Sequence, residues 1–197
     1  MIATTLAVAL CLASGPDRAA QKRLPAPVET VAAPSRPEAE VRELIEAWLG
    51  AIDTRISAAR WRSLGPAARP ILRAVADDER ALPTRRAKAV GALMAFGAAG
   101  DRPAFEGLTF DERAPLVVRL AAVRALAAGT PDAELPAVMA RVMEHAVDAQ
   151  VRAHAALSLV RRLPAACGAL ELRLRGEAPA SRERFGAALQ TCGLPEQ

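Results

Sequence analysis

After residue 62 the sequence repeats one helical pattern four times, and this repetition limits what the chain can fold into. Each repeat holds an Arg, an Ala or Phe three positions later, a small residue three positions after that, and then a Leu. The repeats are TRRAKAVGALMAFG (84–97), VVRLAAVRALAAG (117–129), QVRAHAALSLVRR (150–162) and SRERFGAALQTCG (181–193). The equivalent arginines, spaced by 33, 33 and 30 residues, are Arg86, Arg119, Arg152 and Arg182. A fixed period of about 30 residues with helical spacing inside each unit is typical of an α-solenoid.

A shorter apolar stretch with helical spacing precedes each repeat helix, and Pro and Gly residues separate the segments. These partner stretches cover residues 65–77, 102–109, 132–146 and 165–174, and the one at 102–109 is predicted to be a truncated helix. Each unit is therefore predicted to be a helical hairpin that cannot bury its apolar face without a neighbour.

The composition agrees with an all-helical fold. The 197 residues include 47 Ala and no Tyr, and only 3% are aromatic, so helix formers dominate over strand formers. A hydrophobic content of 52% excludes a disordered chain, and 3 Cys are too few for a disulfide-dense scaffold. We predict an all-α fold, an α-solenoid (α-α superhelix) of about four to five helical hairpins.

The pattern Val-Arg-x-x-Ala-x-x-Ala-Leu, intact at 118–126 and nearly intact at 151–159, resembles HEAT repeats. It is most similar to the short HEAT repeats of bilin-lyase-type proteins, and the resemblance covers residues 63–193. It implies a fold more than an activity, because HEAT-like repeats occur in scaffolds, adaptors and a few enzymes. Two positions depart from the pattern: Arg85 stands where Val is usual, and Phe185 replaces the central Ala. Terminal units are expected to deviate because one side of them lacks a neighbour.

The first 13 residues resemble a secretory signal peptide. Residues 2–12 are apolar or small, and small residues follow, which favours cleavage after Ala13. The run is too short to span a bilayer. No Lys or Arg precedes it, so a retained N-terminal helix is the alternative. Cys11 also admits lipidation, although Leu10 stands where Gly, Ala or Ser is usual.

Residues 14–36 are rich in Pro, Ala and charge and are predicted to form an extended linker. The linker ends at a helix-start signal made of Ser35, Pro37 and Glu38. Residues 37–62 are predicted to be N-terminal capping helices, and residues 63–197 the HEAT-like repeat domain. Trp48 and Trp61 fall in apolar stripes of the capping helices and are predicted to be core residues, with a ligand cage as the alternative.

The Arg ladder formed by Arg86, Arg119, Arg152 and Arg182 is the first candidate site. A basic stripe of this kind would bind a carboxylate- or phosphate-bearing partner. The interpretation that we favour is structural, with each Arg paired to an acidic residue of its own or the adjacent repeat. The acidic residues close to the repeat helices are Asp78, Glu79, Asp111, Glu112 and Asp148.

His145 and His154 are the second candidate, since both lie on one predicted hairpin close to Glu144. HEAT-like deoxyhypusine hydroxylases bind iron with several His-Glu pairs, whereas this chain has one reversed pair, Glu144-His145. We therefore expect no metal and no cofactor.

Cys167 and Cys192 are the third candidate. They lie near the start of the last unit's first helix and at the end of its partner, and an antiparallel hairpin brings these two points together. We predict a disulfide if the protein is exported, with two reduced cysteines as the alternative.

No phosphate-binding loop, H-E-x-x-H, G-x-S-x-G or C-x-x-C motif is present in the sequence. The net charge of +4 is divided equally between residues 1–36 and the remainder, and aromatic residues are few, so we expect no nucleic-acid partner. We predict a monomeric, non-catalytic scaffold in the periplasm or cell envelope that binds an unidentified protein through its second helices. The alternatives are a cytoplasmic enzyme or enzyme accessory of the bilin-lyase-like class and a nucleic-acid-binding solenoid.

Overall fold

The computed structural model describes residues 36–52 and 54–194, and within these ranges the chain is helical without strands. The signal-like segment, the linker up to residue 35 and the predicted cap Ser35 lie outside the described residues. The helices are α1 (Glu38–Gly50), α2 (Ala58–Arg62), α3 (Ala68–Asp77), α4 (Pro83–Leu93), α5 (Arg102–Phe110), α6 (Leu116–Gly129), α7 (Leu135–His145), α8 (Ala149–Arg162), α9 (Cys167–Leu174), α10 (Pro179–Arg182) and α11 (Gly186–Thr191). The predicted all-α class is confirmed. Over the described ranges, no helix has the length and apolar character that crossing a membrane requires.

The two N-terminal helices follow from local signals. Pro37 occupies the N-cap of α1, and the acidic Glu38 and Glu40 lie in its first turn. There their negative charges interact favourably with the positive end of the helix dipole. The short helix α2 is capped by Ser57, whose Oγ accepts a hydrogen bond from the backbone N–H of Arg60 at 3.2 Å. The predicted helical piece at 54–62 is therefore shorter than expected, and Ile56 precedes it.

The repeat helices and their partner stretches form hairpins. Helix α3 packs against α4, α5 against α6, and α7 against α8. The second helices also contact one another in chain order, α4 with α6, α6 with α8, and α8 with α11. Their contact positions carry buried Ala residues such as Ala89, Ala122 and Ala155, and small side chains allow helix axes to approach closely.

One continuous core runs through the described helices. Its largest fully buried side chains include Phe105, Leu126, Met139 and Phe185. Burial of a side chain of this size contributes about 1.5–3 kcal/mol relative to leaving it in water. The core therefore extends across neighbouring helices of the described ranges.

The sequence pattern predicts the last repeat helix as one continuous segment at 181–193, and the structure differs. A 3-10 turn at Glu183–Phe185 separates α10 from α11. The break falls at Phe185, which is 1% exposed and stands where the other repeats have Ala, and at Gly186, which disfavours helix. The buried ring needs more room than a methyl group, and the interrupted helix accommodates it.

Candidate functional site

Two ladder arginines bond the end of the first helix of their own hairpin. Arg86 is only 4% exposed, and its Nε donates to the carbonyl oxygen of Ala76 near the end of α3 at 3.0 Å. In the last hairpin, Arg182 donates from Nε to the carbonyl of Glu177 at 3.1 Å and from Nη2 to that of Arg175 at 3.2 Å. The contacts to Ala76 and Arg175 satisfy backbone carbonyls that a helix end leaves without partners, and the contact to Glu177 reaches the connection that follows α9.

The other two ladder arginines link neighbouring hairpins. Arg152 donates from Nε and Nη2 to both carboxylate oxygens of Glu177, at 3.2 and 3.0 Å. Its Nη1 also donates to the carbonyls of Ala146 and Val147. Arg119 Nη2 lies 3.1 Å from Oδ2 of Asp148, which caps α8 by accepting from the N–H of Gln150 at 2.7 Å. Asp148 therefore pairs with the preceding hairpin's Arg119 and not with Arg152, four residues after it.

The first helices are connected by further ion pairs between hairpins. Arg69 and Arg73 of α3 both donate to Asp101, whose side chain is 5% exposed, at 3.0 Å each. Two more pairs join α5 to the next hairpin, Arg102 with Glu134 at 2.7 Å and Arg141 with Glu106 at 2.6 Å. We call the six arginines that pair with a carboxylate of another hairpin the interhairpin arginines: Arg69, Arg73, Arg102, Arg119, Arg141 and Arg152.

The exposed side of α4, α6, α8 and the last helical segment, which comprises α10, the 3-10 turn Glu183–Phe185 and α11, is here called the second-helix face and is different. It carries Arg124, Arg161 and Arg184, which we call the face arginines, and none of these has an ion-pair partner within the described ranges. Arg124 Nη1 lies 3.3 Å from Nε2 of His154. Burial, followed by the positive charges of Arg124 and Arg161, lowers the pKa of His154.

An open cleft lies on this face between α6, α8 and the last helical segment. We call it the α8–α11 cleft; its volume is about 420 Å³. Its lining combines apolar side chains, among them Leu120 and Leu157, with the polar Gln150, His154, Glu183 and Arg184. The sequence pattern made His154 a metal candidate and gave no signal for the arginines around it.

The second histidine, His145, does not line this cleft. His145 is exposed, and its Nε2 lies 3.9 Å from the carboxylate of Glu144. In the part of the chain that the structure describes, no group of three or more His, Cys, Asp or Glu is arranged to hold a metal ion.

The two tryptophans form a second apolar feature at the N-terminal end. Trp48 and Trp61 make an edge-to-face pair with ring centroids 5.1 Å apart, and both pack against the core as predicted. The Arg60 guanidinium lies 4.7 Å above the Trp48 ring. The rings border an open cleft of about 780 Å³, where Lys88 Nζ donates to the carbonyls of Leu49 and Ala51 at the end of α1. The Lys88 ammonium group therefore caps the C-terminal end of α1.

Cys167 and Cys192 lie at the distance of a disulfide bond, with 1.99 Å between the Sγ atoms and 5.6 Å between the Cα atoms. The predicted proximity of the two cysteines is confirmed. The pair connects the start of α9 to the end of α11, and so holds the segment that carries Arg184 and Glu183.

Comparison with protein-family models, with curated proteins and with solved structures gives no match for this chain. The resemblance to HEAT repeats therefore depends on the sequence pattern and on the hairpin packing described above.

Proposed function

We propose that this protein is a non-catalytic, HEAT-like scaffold that binds a partner protein through its second-helix face. The observation that carries this proposal is the contrast in arginine pairing. The interhairpin arginines contact carboxylates, whereas the face arginines beside the α8–α11 cleft have no such partner over the described ranges. The positive charge of these guanidinium groups is therefore available to bind an anionic group of a partner.

The packing order of the helices supports a solenoid. Successive hairpins repeat with a period of 33 residues over the first three units, and their second helices contact each other in the same order. Solenoids of this kind present one continuous row of second helices, and such rows serve as extended binding surfaces.

Export to the cell envelope is the second part of the proposal. The signal-like residues 1–13 favour it, and the Cys167–Cys192 pair at disulfide distance is compatible with it, because disulfides persist in oxidising compartments. N-terminal sequencing of the mature protein is expected to begin after Ala13. A retained Met1 together with two free thiols would instead favour the cytoplasmic, bilin-lyase-like alternative.

Site-specific photocrosslinking tests the scaffold proposal. A benzophenone amino acid replaces Ala187, which lines the α8–α11 cleft, or Ala140, an exposed residue of α7 that serves as the matched control. In cells that naturally make the protein, we expect one discrete polypeptide adduct from position 187 and none from position 140. Equal labelling at both positions, or no polypeptide adduct at position 187, contradicts the proposal.

A further inference from the structure

The α8–α11 cleft has an apolar floor and a basic surround. Leu120 of α6 and Leu157 of α8 supply apolar lining, and the last helical segment contributes Arg184. Its volume of about 420 Å³ falls within the range of about 300–1,000 Å³ that ligand-binding pockets occupy.

The hydrogen bond and the protonation of the His154 ring indicate which kind of ligand atom can bind beside it. A guanidinium N–H can only donate, so Nε2 of His154 accepts the hydrogen bond from Arg124. The imidazole is then neutral, with its proton on Nδ1, which agrees with the lowered pKa of His154. In the described ranges no acceptor is paired with this Nδ1–H. His154 and Arg184 therefore offer donors to the cleft, whereas Glu183 is an acceptor and Gln150 is both. The ligand group that complements His154 and Arg184 is an acceptor.

The charges around His154 favour an anionic acceptor. Arg124 of α6 and Arg161 of α8 are close enough to His154 to lower its pKa, and Arg184 of the last segment lines the same cleft together with the acidic Glu183. With a neutral His154 the local balance is positive, and a carboxylate would accept charge-assisted hydrogen bonds from the guanidinium groups.

We propose that the α8–α11 cleft binds an acidic peptide segment of the partner protein. The carboxylate of an Asp or Glu side chain contacts the face arginines, and a neighbouring apolar side chain packs on Leu120 and Leu157. This inference rests on the proposed scaffold function and names the chemistry of its partner.

A polypeptide fits better than a nucleic acid for two reasons. The cleft lining contains no Phe, Tyr or Trp ring on which a base could stack; its one ring is the small imidazole of His154, and both tryptophans lie on α1 and α2. Glu183 in the lining would also repel a phosphate backbone that follows the groove, whereas a single carboxylate needs to contact only the arginines.

Fluorescence anisotropy with defined peptides tests the inference. The probes are a labelled peptide made of Leu, Asp and Glu, its counterpart with Asn and Gln in place of the acids, and single-stranded DNA, all at about 0.15 M salt. The mature full chain is compared with the double variant Arg161→Gln/Arg184→Gln. The matched control is Arg80→Gln/Arg113→Gln, because both of these arginines are exposed and lie in other connections of the chain.

We expect the acidic peptide to bind and its amide counterpart not to bind. The face double variant is expected to weaken binding about tenfold or more, as loss of charge-assisted hydrogen bonds does, and the control variant to change it less than about twofold. A further readout is the His154 imidazole signal in NMR, whose pKa is expected to rise when the acidic peptide binds, because a nearby carboxylate favours the imidazolium.

The outcomes separate this inference from the scaffold proposal. If the acidic peptide does not bind but benzophenone at position 187 still captures a discrete polypeptide, the scaffold proposal holds and the acidic-segment inference is wrong. Equal loss in the face and control variants, or an unchanged His154 pKa in the complex, also overturns the inference. Tighter binding of DNA with the same dependence on Arg161 and Arg184 would identify a nucleic-acid site and overturn both.

Discussion

The interhairpin arginines and the face arginines are the same residue type on helices of the same hairpins, but their contacts differ. Arg152 is 15% exposed and bonds both oxygens of Glu177, which is 9% exposed. Arg161, nine residues further along the same helix, is exposed and has no ion-pair partner among the residues that the structure describes. The interhairpin arginines hold one hairpin against the next, and the face arginines leave positive charge on the second-helix face.

This difference shows that arginine content does not by itself indicate a binding surface. A buried guanidinium requires a carboxylate or carbonyl partner, because its desolvation is costly. An exposed guanidinium without an ion pair remains hydrated and contributes little to stability, so it can be retained for binding. Five variants test this division and the segments beside it, and the change in stability that we expect decreases from the first to the last.

Arg152→Ala is expected to destabilise the protein most, by up to about 3–5 kcal/mol, because it leaves the part-buried Glu177 without its cation. It also removes the donors to Ala146 and Val147. Urea denaturation followed by circular dichroism measures the change in the free energy of unfolding. As the control, the double change Arg152→Ala/Glu177→Ala is expected to recover part of the loss. A loss below about 1 kcal/mol for the single variant would contradict the structural role of this pair.

Cys167→Ser in oxidised protein is expected to lower the free energy of unfolding by about 2–4 kcal/mol, because the bridge closes a long loop. The two cysteines are 25 residues apart in the chain. Because the bridge holds the segment that carries Arg184, acidic-peptide binding should weaken as well. Reduced wild-type protein serves as the control and should match the variant. If wild-type protein unfolds identically with and without reductant, the bridge does not form.

Asp101→Asn is expected to cost about 1.5–3 kcal/mol, because a neutral amide replaces the acceptor of two charge-assisted hydrogen bonds. Arg69 and Arg73 both lose their ionic partner at this position. Asp111→Asn is the matched control, since Asp111 accepts from the backbone N–H of Arg113 and has no arginine side chain bonded to it in the described ranges. Thermal unfolding of the two variants separates the effects, and equal shifts would argue against the interhairpin role.

His154→Gln is expected to reduce the acid sensitivity of stability. The pKa of His154 is lowered in the folded protein, first by burial and then by Arg124 and Arg161. The unfolded chain therefore binds more protons, and the free energy of unfolding falls as pH drops through about 6.5. The urea midpoint of unfolding is expected to change less between about pH 7.5 and about pH 5.5 for the variant than for wild type. His145→Gln is the control, and an identical response of both variants would contradict the assignment.

Arg161→Gln/Arg184→Gln is expected to change stability least, by less than about 0.5 kcal/mol, because neither side chain has an ion pair to lose within the described ranges. The same variant should lose most of its affinity for the acidic peptide. Differential scanning calorimetry and anisotropy measure the two quantities on one sample. A large loss of stability would move these residues into the group of interhairpin arginines and remove the division on which the proposal depends.

Much of the fold was predictable from the sequence because its signals are local. The spacing of Ala and Leu around each repeated Arg predicted α4, α6 and α8, and the antiparallel hairpin predicted that Cys167 and Cys192 meet. The interrupted last helix was not predicted, because the break depends on how deeply Phe185 is buried against α8. Propensity alone gives Gly186 only a moderate penalty.

The amino-acid sequence alone specifies the helical hairpins, their period and the recurrence of one Arg in each, but it does not specify which arginines are paired. Arg119 and Arg124 both lack a carboxylate three or four residues away on α6. Packing of the next hairpin brings Asp148 to Arg119 and brings the neutral His154 to Arg124. The difference between these two arginines arises in the tertiary structure, because ion pairs form between side chains that approach in space, and helix–helix packing sets those distances.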